Sequence, residues 1–144
     1  VNRTLIICKP DAVERGLLGE IISRFERKGL RVVAAEIRTL GPDVLAQHYH
    51  EHVGKGFYDE LVAFMSRGPV LVAVVEGPSG VWSTVRQMMG ATNPSAAALG
   101  TIRGDLAIEV TENLVHGSDS AESAQREIEI FFPNLRADRS TTLG

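Results

Sequence analysis

Cysteine is nearly absent from this chain: Cys8 stands alone among 144 residues. A single cysteine excludes an intramolecular disulfide and fits a reducing compartment. Its place in the apolar run TLIICKP reads as a buried thiol ahead of a nucleophile. Long apolar runs are missing too, since none approaches the roughly 20 residues of a membrane span. The first residues carry no signal-peptide pattern, so the expected location is cytoplasmic, with no membrane partner. Nor is there an excess of positive charge: 15 Lys and Arg stand against 18 Asp and Glu, a net charge of −3. That balance argues against a broad nucleic-acid surface, and no nucleic-acid partner is expected. A small cationic pocket remains open, because pockets are local and net charge is a sum. There is no Walker A loop either: Gly54-Lys55 is followed by Gly56, and Tyr49 stands in the leading-glycine position. Any polyphosphate site must therefore be assembled from side chains distant in sequence.

What is present reads as ordinary globular protein, with 44% hydrophobic and 23% charged residues. The length fits one domain over residues 1–144, with a polar tail from 133 onward. RTLIIC is read as a buried strand stopped by Lys9-Pro10-Asp11. GLLGEIISRFERKG places Leu17, Leu18, Ile21, Ile22 and Phe25 at helical spacing and ends on Gly29. LRVVAAEIRTL follows as a β-branched strand, then short helices over 43–52 and 57–66. PVLVAVVEG is apolar on both faces and is predicted to be a central strand. A helix over 81–89, a long irregular segment over 90–105, a strand ending at His116 and a last helix complete the chain. In that helix Ala121, Ala124, Ile128 and Phe131 are expected to face the core, after an N-cap at Asp119 or Ser120. This order predicts an α+β fold, a ferredoxin-like βαββαβ antiparallel sheet sandwich with added helices.

Three places carry possible chemistry. The irregular segment GATNPSAAALGTIRGD holds Thr92 and Arg103, and connections that long are usually functional or disordered. Lys9 follows the first strand, where a solvated strand end is the plain alternative. NLVHGSDS ends an apolar run on His116 and turns at Gly117. Glu127 adjoins the apolar stripe of the last helix, and a carboxylate there needs a partner. His116 is one; a nearby arginine is the other. His48, His50 and His52 form an H-x-H-x-H pattern, read as incidental histidines on a surface helix because two ligands make an incomplete zinc site.

NLVHGSDS with AESAQREI resembles the active-site signature of nucleoside diphosphate kinases. KPDA, RQMMGATNP and GTIRGD resemble that family's other segments, in order and over nearly the whole chain. The resemblance implies a phosphotransferase acting on nucleoside tri- and diphosphates through a phosphohistidine, with broad base tolerance and Mg²⁺ held mainly by the nucleotide phosphates. It implies that His116 accepts the phosphoryl group, and that Lys9, Arg86, Thr92 and Arg103 hold phosphates. Phe57 and Val110 flank the base, Asn113 with Lys9 touches the ribose, and Tyr49, Ser118 and Glu127 support the site. Alanine in place of Arg86 or Arg103 is expected to leave a folded but slower enzyme. A homo-oligomer, hexamer or tetramer, is also implied. Ala12 and Gly56 depart from the family pattern, and Gly56, where many members have proline, puts the rigidity around Phe57 in doubt. The alternative is a non-catalytic nucleotide-binding regulatory protein on the same fold.

Overall fold

The computed structural model describes residues 2–135; residues 136–144, most of the polar tail, lie outside the described residues. Four strands form one antiparallel sheet in the order β2-β3-β1-β4. They are β1 (Asn2–Cys8), β2 (Arg31–Arg38), β3 (Val70–Gly77) and β4 (Val115–Gly117). Helix α1 (Pro10–Glu14) and α2 (Leu18–Arg27) join β1 to β2; α3 (Pro42–His48) and α4 (Tyr58–Ser66) join β2 to β3. Helices α5 (Val81–Met89) and α6 (Ile102–Leu106) precede β4, and α7 (Ala121–Phe131) follows it. The predicted α+β, ferredoxin-like arrangement is thus the one observed.

Alternation along β1 explains why its run is apolar throughout. Ile6 and Cys8 pack with Ile21 and Phe25 of α2 and Val85 and Met89 of α5. Leu5 and Ile7 point the other way, to Leu45 of α3, Met65 of α4 and Phe131 of α7. Successive side chains of a strand alternate faces, so a sheet covered on both sides needs no polar position in its middle strands. Pairing of Ile7 with His116 then decides where the histidine goes, because paired residues share a face. His116 must look toward α3 and α7.

Several boundaries differ from the sequence reading. The segment after Lys9 is a helix, because Pro10 suits a first helical turn that lacks a donor anyway. The predicted helix over 43–52 ends at His48 and gives way to turns. The long connection holds a 3-10 turn over Pro94–Ala96 and helix α6, capped by Thr101 through Gly104 N–H. Ser120 is the N-cap of α7, accepting from Ser123 N–H, whereas Asp119 is not. Ala124 and Phe131 are buried as expected, while Ala121 is exposed.

Helix α6 depends on a glycine. A Cβ at Gly104 would lie 1.9 Å from the Ala98 carbonyl oxygen, and backbone cannot swing aside as a side chain can. Gly104→Ala should destabilise by about 1–3 kcal/mol. At about 2–4 °C per kcal/mol, thermal unfolding of the variant should show a clear drop in Tm. An unchanged Tm would mean that the loop over 98–101 adapts freely.

Candidate active site

His116 is positioned by its backbone as much as by its ring. Leu114 sits at φ 75°, a left-handed conformation that costs a side-chain-bearing residue roughly 1–2 kcal/mol. Both its peptide groups are held by the start of α1. Asp11 Oδ2 accepts from Leu114 N–H at 3.0 Å, and Lys9 N–H donates to the Leu114 carbonyl at 2.8 Å. Burial pushes the Asp11 carboxyl above its ordinary pKa, against the Leu114 bond and the Lys9 charge.

Arginines clamp the backbone on either side of His116. Arg103 donates through Nε to the Asn113 carbonyl at 3.2 Å, through Nη1 to Gly90 at 2.9 Å and through Nη2 to Val115 at 2.5 Å. Arg86 Nη1 donates to the Gly117 carbonyl at 2.9 Å. The carbonyls immediately before and after His116 are therefore each held by a guanidinium. Gly117 itself packs close to α5, where a Cβ would meet Met89 Sδ at 3.0 Å.

The ring is oriented from α7. His116 Nε2 lies 2.9 Å from Glu127 Oε1, and the Ser118 hydroxyl donates to the same oxygen at 2.8 Å. Burial raises the Glu127 pKa, but the bond and charge of His116, the charge of His48 and the Ser118 bond outweigh it. The carboxyl is held below its ordinary range and is ionised at neutral pH. An ionised carboxylate only accepts, so Nε2 carries a proton, and in the neutral ring the lone pair falls on Nδ1. Of the two partners considered for Glu127, the histidine is the close one; Arg126 Nη2 stands 3.7 Å from Oε2.

Three cations crowd the same place. Lys9 Nζ donates to Asn113 Oδ1 at 2.9 Å. Its pKa falls to about 8, first from burial and then from the nearby Arg103 charge. Arg103 is itself lowered to about 10, by burial and then by Arg86. Like charges that depress one another make a site poised for an anion. Asn113 links the cluster to the remaining predicted residues, donating to the carbonyls of Thr92 at 3.0 Å and Val110 at 3.1 Å. Phe57 and Val110 are 50% and 53% exposed, so both present apolar surface to solvent. The Phe57 ring touches His52, with centroids 5.2 Å apart.

A cleft of about 220 Å³ opens onto His116, Tyr49, Arg86, Asp119 and Glu127. Burial raises the Tyr49 pKa, so its hydroxyl keeps its proton. Cys8 is buried in the core and its thiol is pushed up to about 12, first by burial and then by Asp11, which rules it out as a nucleophile at neutral pH.

Two contributors escaped the sequence reading. Asp11 was read only as part of a strand stop, and nothing local announces the peptide it holds 103 residues away. His48 was read as an incidental surface histidine and is instead 4% exposed. Its ring meets that of His116 edge-on at 4.7 Å and that of Phe131 at 5.5 Å. Burial, then the facing His116, lowers its pKa to about 3, so it is neutral. The three-residue step from Leu45 to His48 along α3 was the available signal.

Comparisons with known proteins point to a single family. The family model described as nucleoside diphosphate kinase matches residues 2–137. A nucleoside diphosphate kinase of Mycobacterium leprae (strain TN) is 58% identical over 135 residues, covering 93% of this chain and 98% of its own. One from Parafrankia sp. (strain EAN1pec) is 55% identical over 134 residues, covering 93% and 97%. Among solved structures, a nucleoside diphosphate kinase family protein from Babesia bovis superimposes with a TM-score of 0.90 at 45% identity, covering 98% and 97%. A halophilic nucleoside diphosphate kinase from Halobacterium salinarum, in complex with CDP, gives 0.89 at 42% identity, covering 98% and 95%.

Proposed function

This chain belongs to the nucleoside diphosphate kinase family, and we propose that it moves a phosphoryl group between nucleotides by a ping-pong route through His116. The observation that carries this reading is the 2.9 Å contact between His116 Nε2 and the Glu127 carboxylate. It leaves Nδ1 as the nucleophile and gives the ring somewhere to place positive charge. In the first half-reaction Nδ1 attacks the γ-phosphorus of a nucleoside triphosphate. The N–P bond forms, the bond to the β,γ-bridging oxygen breaks, and the diphosphate leaves with that electron pair. A second nucleoside diphosphate then attacks through a β-phosphate oxygen and frees Nδ1. Glu127 steadies the Nε2–H through both steps, while Ser118 holds the carboxylate.

Lys9, Arg86 and Arg103 are assigned to the phosphates, with Thr92 and the Tyr49 hydroxyl at their margin. Such transfers depend on positioning and on neutralising charge rather than on covalent work. Of the carboxylates near His116, Glu127 is committed to the imidazole and Asp11 to Leu114 N–H, which leaves Glu51 and Asp119 of the cleft lining and no dedicated cage of side chains. The residues present therefore fit Mg²⁺ carried by the nucleotide's own phosphate oxygens. Bound there, the cation supplies further charge neutralisation. Asn113 and Lys9 are assigned to the ribose, Phe57 and Val110 to the two sides of the base. A non-catalytic nucleotide-binding protein has no use for an oriented Nδ1, and no observation favours it. A cytoplasmic setting suits the lone thiol. Assembly of several copies is proposed from the family membership, with Ile37, Leu99 and Ile108, 63%, 86% and 87% exposed, as apolar side chains an interface would cover.

The test is a pulse with γ-labelled ATP and Mg²⁺ followed by a chase with unlabelled ADP, GDP, CDP or UDP. The protein should carry acid-labile, alkali-stable label that each diphosphate removes. Stacking on Phe57 tolerates every base at roughly 1–3 kcal/mol, so kcat/KM should spread over about two orders of magnitude or less. A preference above about 10⁴ for one base would demand a buried polar base contact and would overturn the assignment of Phe57 and Val110.

A further inference from the structure

Phosphoryl transfer gives His48 no task, yet it is placed as if it had one. Both its ring nitrogens are buried without a hydrogen-bond partner among the described residues. A buried polar group left so is costly and calls for an explanation. His48 of α3, His116 of β4 and Glu127 of α7 can each turn one donor atom to within 4.8 Å of the others. All three line the cleft. We propose that His48, His116 and Glu127 form a site for a borderline-soft divalent cation, Zn²⁺ foremost, whose binding switches the nucleophile off.

Two imidazoles and one carboxylate are the donor set of open zinc sites, with water completing the tetrahedron. Mg²⁺ demands six oxygens and does not compete for it. The donors are in the right state: His48 is neutral and Glu127 ionised. His116 Nε2 and Glu127 Oε1 are 2.9 Å apart. Tetrahedral zinc places any two donors about 3.3 Å apart, so ring and carboxylate separate slightly while the His48 donor closes in from within 4.8 Å. The metal takes the place of the Nε2 proton. That proton is exchanged through water to Nδ1, which keeps the ring neutral and leaves Nδ1 without a lone pair for phosphorus. Nothing is oxidised, and removing the metal restores the original tautomer.

The site does not depend on the kinase reading; only the switching does. The experiment therefore begins with binding alone, titrating Zn²⁺ into nucleotide-free, unphosphorylated protein labelled with ¹⁵N at histidine. One Zn²⁺ per chain should move the ring resonances of His48 and His116 and leave those of His50 and His52 in place. His48→Gln should weaken binding at least about tenfold, whereas a His50→Ala, His52→Ala double variant should bind as the parent does. Shifts confined to His50 and His52, or equal affinity after His48→Gln, overturn the site. With Zn²⁺ buffered to keep the site filled, labelling from Mg²⁺-ATP should fall at least tenfold. Full-rate labelling of the zinc-loaded protein overturns the switch while leaving the site standing.

Discussion

Replacing His116 with alanine should abolish labelling from γ-labelled ATP and lower turnover by at least about 10³-fold, equivalent to about 4 kcal/mol of transition-state stabilisation. The loss is large because no other side chain can take over. Cys8 is buried in the opposite layer of the core, and Tyr49 keeps its proton. Ser118 is fully buried and already donates to Glu127 at 2.8 Å. The protein should stay folded, since His116 is only half-buried and its backbone is held independently of its ring. Rapid-quench labelling with circular dichroism checks both statements together. Normal labelling in the variant would move the nucleophile elsewhere and end the proposed route.

The second large effect is expected at Arg103, and it is an effect on stability as well as on rate. Arg103→Ala strips three carbonyls of a charged donor, those of Gly90, Asn113 and Val115. Each buried acceptor left unsatisfied costs about 1–3 kcal/mol, but the Asn113 carbonyl keeps the Val115 N–H at 2.9 Å and Gly90 is only half-buried, so the losses do not simply add. A net destabilisation of about 3–5 kcal/mol is expected, with a fall in Tm of about 6–20 °C. Arg86→Ala releases one carbonyl, that of Gly117, and should stay folded while losing more than about tenfold in transfer rate. The sequence reading treated the two arginines alike, and the structure separates them. Thermal unfolding of both variants beside initial rates is the measurement. Equal Tm values would return Arg103 to a purely phosphate-holding role.

How much of this was legible in the sequence follows from the range of each interaction. Strands β1 and β3 announce themselves as unbroken apolar runs and helix α2 through its periodicity, and the structure agrees within two residues at their ends. Helix α6 was hidden because five residues cannot display a period. The site was legible where it is local: His116 and Glu127 lie eleven residues apart and meet, one of the two pairings that the helix spacing left open. Asp11 and His48 were illegible for the opposite reason. Their importance exists only once β1 and β4 pair and α3 packs on the sheet, and no short window contains both partners. Arg103 was visible as a cation, but a cation's chemistry does not say whether it faces a phosphate or a carbonyl.

The octapeptide around His116 looks like a portable unit, and the clamp shows that it is not one. Its geometry is completed by Arg86, 31 residues upstream of the carbonyl it holds, and by Asp11 on the far side of the chain. Grafting NLVHGSDS onto another sheet edge would carry the imidazole and leave its scaffolding behind. Leu114 would then relax out of its left-handed conformation and the ring would swing with it. Anyone wishing to transplant the proposed phosphohistidine chemistry has to move a sheet edge, two helix starts and two arginines together. The smallest transferable piece of this enzyme is close to the whole fold.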